Sequence, residues 1–483
     1  MPIGPNDSRK KTFRCETCVL KHVKCSGTRP CTYCQKRGFN CVYPAPQKKH
    51  FNIIIDQGSR KAITGSHSLV PRKRLIDSPR VDPQFDPNAH FLLYWDRFLQ
   101  KNAFSQQGIL SFDIKQMVQS SSSGIFLRQS VLALGALTAT KLNPHHRLAN
   151  YRLALTFYNE AVIGLRNAIE YQTQSPEPQL AVLWTTMLLG LFELMVDSSG
   201  QRWVQHLVHG TSKALVAIGP HACVGSLPQR FFMEIKIFEV CRAIVFNDSS
   251  FLMQDEWIAF SKRVQSTIDP GNLHPFDDLL DIILRCASLR SRVAEYIHVK
   301  QFRSSNGGPQ QEEARDIAIE GLLLRDALNV WKTESMLEYM NNGRQNRSSH
   351  FDDFDLLAFV FQAATSIYLS GVFDYEINYW VDLGALLPTL TEDDIQAHVR
   401  CILELSQVVL ERSRISAVLL LFPLRVAGAR SRSSSQRETV STLLGRIEAT
   451  FSAAGAFRGD LQRLWTNTEQ DDDELEQQLD REQ

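Results

Sequence analysis

The 483-residue chain is 43% hydrophobic and 22% charged, which excludes a disordered or collagen-like polypeptide and allows more than one domain. Its formal net charge of +1 conceals a division. Residues 1–80 carry 17 Lys/Arg against four acids (Asp7, Glu16, Asp56 and Asp77), leaving 36 basic and 48 acidic residues to the remainder. A basic head on an acidic body directs any polyanionic partner to the head alone.

Residues 1–12 are polar and lack the apolar core of a secretion signal, so they are expected to be disordered and the chain to reside in a reducing compartment. The module at 13–45 holds Cys15, Cys18, Cys25, Cys31, Cys34 and Cys41, a C-x2-C-x6-C triad repeated after five residues. Two zinc ions need eight tetrahedral ligand positions, and six thiolates supply eight when two of them bridge. Six thiolates and two zinc ions sum to a formal charge of −2, which Arg14, Lys21, Lys24, Arg29, Lys36 and Arg37 would offset. Each C-x2-C step is expected to open a short helix, with the third cysteine returning on an extended segment. About thirty residues cannot fold on hydrophobic burial alone, so metal binding is the expected folding energy.

Residues 46–88 read as a basic linker, punctuated by Pro46, Pro71, Pro79, Pro83 and Pro87 and containing the tetrad Pro71-Arg72-Lys73-Arg74. That tetrad suits nuclear import, phosphate contact or an ordinary solvated charge run. No heptad pattern continues through it, so no coiled-coil seam is expected after the cluster.

Residues 89–465 read as a large all-α domain. Tyr151, Leu155, Tyr158, Val162, Leu165 and Ile169 step at helical spacing and are expected to form one apolar face, as are Ile395, Val399, Ile402, Leu405 and Val409. Thr391 with Asp394 predicts a helix cap, and Asp352, Asp353 and Asp355 predict a helix start. Leu180–Val196 is expected to be a buried helix and not a membrane span, because it is short and contains Glu193. Loops are expected at Ser120–Gly124, Ser175–Pro178, Ser304–Pro309, Asn341–Ser349 and Arg430–Gln436. Cys223, Cys241, Cys286 and Cys401 read as core thiols. His206 and His209 have no third ligand nearby and read as ordinary histidines. No nucleophile elbow, phosphate-cradling loop or zinc-protease motif is present, so no enzymatic activity is expected. The tail, 466–483, is acidic, and its composition suits either a coactivator contact or a solubilising segment.

The stretch from Cys15 to Cys41, with Arg29-Pro30, Gly38 and Tyr43-Pro44, resembles the fungal binuclear zinc cluster transcription factors. The segments Arg202–Gly210 with Gly219-Pro220, Phe251-Leu252 with Trp257, and Phe422-Pro423-Leu424 with Ala427-Gly428 look like parts of the helical regulatory region that follows the cluster in that family. The resemblance implies two zinc ions, with Cys15 and Cys31 bridging, and a first helix that enters the major groove of double-stranded DNA to read CGG-like triplets. It implies a nuclear regulator of RNA polymerase II genes, of the kind governing catabolic or secondary-metabolite sets. A homodimer is the partner it brings with it, while coactivators are suggested by the acidic tail, where Trp465, Leu475 and Leu479 interleave with carboxylates. Two positions depart from the family: Val19 stands where a basic residue is common, and His22 where the base-reading lysine falls. Lys21 and His22 are therefore assigned to bases, and Lys24, Lys36 and Arg37 to phosphates. The alternative from another class is a zinc-containing scaffold whose cluster binds protein.

Overall fold

The computed structural model describes residues 32–38, 41, 88–105, 114, 117–118, 124–170, 176–199, 210–221, 223, 226–267, 274–302, 308–345, 352–375, 377, 380 and 386–467. The chain divides into two units, 1–81 and 82–483. The described part of the first is a short helix, α1 (Thr32–Arg37), with Gly38 and Cys41. The described part of the second is built from helices: α2 (His90–Lys101), α3 (Ile125–Leu142), α4 (Arg147–Glu170), α5 (Pro176–Val196), α6 (Ser212–Ile218), α7 (Ser226–Phe246), α8 (Asp255–Thr267), α9 (Pro275–Phe302), α10 (Gly308–Gln345), α11 (Asp353–Asp374), α12 (Glu392–Arg412), α13 (Leu421–Ala429), α14 (Ser434–Glu448) and α15 over 454–467. Among the described residues the one extended pairing is an isolated parallel bridge between Ala103 and Ile415. The all-α expectation holds. The linker up to 87, with the tetrad at 71–74, the tail from 468 and the segment with His206 and His209 lie outside the described residues; the first two tail residues, 466–467, continue α15.

Small residues set the closest helix contacts. A Cβ at Gly135 of α3 would lie 2.2 Å from the carbonyl oxygen of Phe91 on α2, and one at Gly164 of α4 would lie 2.6 Å from Phe126 Cβ on α3. The α4 helix stands where expected, but its buried face differs. Asn150, Ala154, Phe157, Ala161 and Leu165 are buried, while Leu155 and Ile169 are exposed. The inward face is drawn by alanines and Gly164, which let α3 approach closely, and a count of large apolar residues undervalues them. On α12 the expected face is largely inward: Ile395, Val399, Ile402 and Val409 are buried, with Leu403 and Ser406 beside them.

Three expected loops are entered in part by helix. Pro176 and Pro178 sit in the first turn of α5, and Pro309 in the first turn of α10, where a missing N–H leaves no bond unmade. The helix α10 also runs through Asn341 to Gln345. Between α13 and α14 the connection narrows to 430–433, because Ser433 and Gln436 form a reciprocal capping box. Thr391 Oγ1 accepts from the Asp394 N–H at 3.2 Å, and Asp352 and Asp355 form the capping box that starts α11, as expected.

The centre of the body is α11, buried at nearly every position from Phe354 to Phe373. It packs against α9, α10, α12 and α13. Gln179–Val196 and Asp353–Asp374 are long and apolar enough to cross a membrane, yet most of their residues are buried inside this body. Cys223, Cys241 and Cys286 are buried, and loss of hydration pushes their thiols up to about 11, 12 and 12; Cys401 is only half-buried, and its thiol too is raised.

Four buried charges interrupt the apolar surface of α7: Glu234, Lys236, Glu239 and Arg242. Arg242 grips Glu239 through Nε and Nη2 at 3.0 and 2.8 Å, and reaches Asp248 at 3.0 Å. The hydroxyls of Ser212 and Ser250 both donate to Glu239 at 2.8 Å, so this carboxylate ties α6 and the turn after α7 to one point. Lys236 pairs with Asp281 of α9 at 2.7 Å. Glu234 accepts from the Ser105 hydroxyl through Oε1, while its buried Oε2 has no hydrogen-bond partner among the described residues.

Candidate zinc and nucleic-acid site

The helix α1 begins directly after Cys31 and carries Cys34 in its first turn. Cys34 is fully buried, Tyr33 is half-buried, and Gln35, Lys36, Arg37 and Gly38 are exposed. Among the described residues no apolar cluster takes in Cys34, so its burial fits a metal ligand. Gly38 has φ +65°, a left-handed conformation that favours glycine and ends the helix. Cys41 is half-buried. The second cysteine triad thus shows the expected short helix after its first cysteine. Cys15, Cys18, Cys25 and Cys31, with Lys21, His22 and Lys24, lie outside the described residues.

Lys36 and Arg37 occupy the last turn of α1, where cations oppose the partial negative charge of the helix end. Both are exposed, so their charges are available to a phosphate backbone.

Among the described residues one further group has the composition of a metal site: His274, Asp352 and Asp355, whose ligand atoms lie within 4.8 Å of one another. Its hydrogen bonds show a different role. The Phe276 N–H donates to His274 Nδ1 at 3.1 Å, so a neutral imidazole carries its proton on Nε2. That nitrogen faces Asp355 Oδ1 at 3.1 Å. Asp352 accepts from the N–H groups of Phe354 and Asp355, and Asp355 Oδ2 accepts from the Asp352 N–H. The proton on Nε2 leaves no lone pair for a metal. The cluster is a clasp in which one histidine serves the N-termini of α9 and α11.

The charged residues of α7 were not singled out by periodicity. Their signal is legible as FFMEIKIFEVCRAIVF, four charges inside an otherwise apolar helix.

The chain matches the fungal Zn(2)-Cys(6) binuclear cluster domain over residues 13–50. It matches the fungal specific transcription factor domain over residues 103–477, more than three quarters of its length. The chain belongs to the fungal Zn(2)-Cys(6) transcription factors. Zinc binding and DNA binding follow from the cluster domain of this family, and the protein is a transcription factor and not an enzyme. The scaffold alternative falls with that assignment.

Family relatives match over short segments. The maltose fermentation regulatory protein MAL63 of Saccharomyces cerevisiae is 28% identical over 99 residues, covering 20% of this chain and 21% of its own. Transcription factor MYCFIDRAFT_198930 of Pseudocercospora fijiensis is 36% identical over 76 residues, 15% of each chain. The fumonisin cluster-specific transcription factor FUM21 of Gibberella moniliformis is 38% identical over 52 residues, 10% of this chain and 8% of its own. The matched segments thus span about a fifth or less of these relatives. No solved structure gives a significant match.

Proposed function

We propose that this protein is a nuclear, sequence-specific regulator of RNA polymerase II genes, and that its cluster holds two zinc ions on Cys15, Cys18, Cys25, Cys31, Cys34 and Cys41. The observation that carries the reading is the match to the cluster domain, supported by the buried thiol of Cys34 beside exposed Lys36 and Arg37. Zinc supplies the folding energy of the module and keeps its thiolates deprotonated. Lys21 and His22 read base edges; Lys24, Lys36 and Arg37 hold phosphates and fix the register on the duplex. A histidine donates more weakly than a lysine, and its charge depends on pH. Together with Val19 it shifts the preferred site away from a plain CGG triplet. Names of relatives that cite maltose fermentation and a fumonisin cluster support a catabolic or secondary-metabolite gene set. The basic tetrad at 71–74 serves nuclear import, the acidic tail contacts coactivators, and the protein acts as a homodimer.

Selection of random duplexes on the zinc-loaded full chain tests this. Paired triplets at fixed spacing, altered at one base from CGG, are expected. His22→Lys should restore the plain triplet. A chain that enriches no sequence would refute sequence-specific reading.

A further inference from the structure

The helix α10 is apolar on two opposite sides. One side, with Ala314, Ile317, Leu324, Leu328 and Trp331, is buried against the body. At 100° per residue, Ile319, Leu323, Val330 and Leu337 fall on the diametrically opposite side, and each is more than half exposed. An exposed helix face normally carries polar residues, so a second apolar stripe signals a partner. The stripe identifies the partner's shape. Leu323, Val330 and Leu337 recur every seven residues, and Ile319, Asp326 and Thr333 occupy the alternate seam positions between and before them. A seven-residue period keeps an apolar seam facing a second helix along a left-handed supercoil.

Charge selects the partner's direction. In a parallel pair of identical helices Asp326 would meet Asp326, two like charges at the seam. In an antiparallel pair it meets Val330, Ile319 meets Leu337, and Leu323 meets Thr333. Every layer from 319 to 337 is then filled, over about 27 Å. Glu320, whose flank position approaches Glu334 of the opposite helix, is already paired with Arg292 of α9. We propose that α10 is the seam of a homodimer, two copies pairing antiparallel through Ile319, Leu323, Asp326, Val330, Thr333 and Leu337. This deepens the homodimer reading above and does not depend on the DNA site. It places the seam in the regulatory body and not after the zinc cluster.

Sedimentation of the full chain tests it. The wild type is expected to be a dimer. The variant Leu323→Glu with Leu337→Glu is expected to weaken self-association on the order of a hundredfold or more, with the helicity of the folded chain unchanged because both residues are exposed. Mixing copies carrying Ile319→Cys with copies carrying Leu337→Cys under mild oxidation should give a disulfide between 319 and 337, identified by peptide mass spectrometry. A monomeric wild type would overturn the proposal and leave the stripe to a different protein. A dimer indifferent to the glutamates would also overturn it, and a 319–319 product would overturn the antiparallel register. Loss of DNA selection with the dimer intact would count against the DNA reading alone.

Discussion

At the scale of single residues, two positions carry the sharpest expectations. Gly135 is the point of closest approach between α3 and α2, and what a methyl group would meet there is a backbone carbonyl, which cannot swing aside. Gly135→Ala should therefore destabilise the body by about 3 kcal/mol, despite the better helix propensity of alanine. Urea denaturation would measure it, and a neutral effect would mean the two helices separate easily. Glu234 is the other. Burial lifts its carboxyl to about 7, against the opposing effect of the Ser105 hydroxyl. The folded state thus holds a proton that the unfolded chain releases near 4.5, so stability falls as pH rises from about 4.5 to 7 and the full cost persists above. Glu234→Gln should stabilise the protein above pH 7 by on the order of 3 kcal/mol, with the advantage vanishing near pH 4.5. Denaturation curves across that range decide it; a difference independent of pH would show that Glu234 is ionised in the fold.

At the scale of elements, helix starts are legible because capping chemistry is local. Asp352, Thr391 and Ser433 each stand just before a helix and accept a backbone N–H three residues on. Asp352→Ala removes the acceptor for two N–H groups and is expected to cost about 1–2 kcal/mol. Thr391→Ala, with one N–H to lose, should cost less; equal losses would show that the second bond of Asp352 contributes nothing. Helix ends involve partners from far along the chain. Lys141 at the end of α3 donates to the carbonyls of Ala449 and Thr450 at 2.8 and 2.5 Å, closing α14 across more than 300 residues. No local pattern announces that bond. The faces of α4 and α10 were illegible for the same reason. Which apolar residues point inward depends on which helix lies alongside, and alanines and glycines decide that as much as leucines do.

At the scale of the whole molecule, a zinc-folded reader and a helical body are separate units in the chain. The module at 13–45 is a small part of the 483-residue chain, so zinc chelation should abolish retention on DNA while far-ultraviolet circular dichroism changes little. Melting of the body on chelation would contradict that independence. The basic head should also make DNA affinity fall steeply with added salt, with a slope reduced by about one for each phosphate contact removed, as in Lys36→Ala or Arg37→Ala.

The sequence by itself determined the family, the metal and the helical class. Ligand spacing, capping residues and a 3.6-residue period are properties of neighbouring positions, and they survive without knowledge of the fold. Only the tertiary structure decided that burial raises the Glu234 carboxyl, that His274 clasps two helix starts where a metal site was conceivable, and that the apolar residues of α10 divide between core and solvent. Burial is set by what the rest of the chain brings alongside, and those contacts join residues tens to hundreds of positions apart.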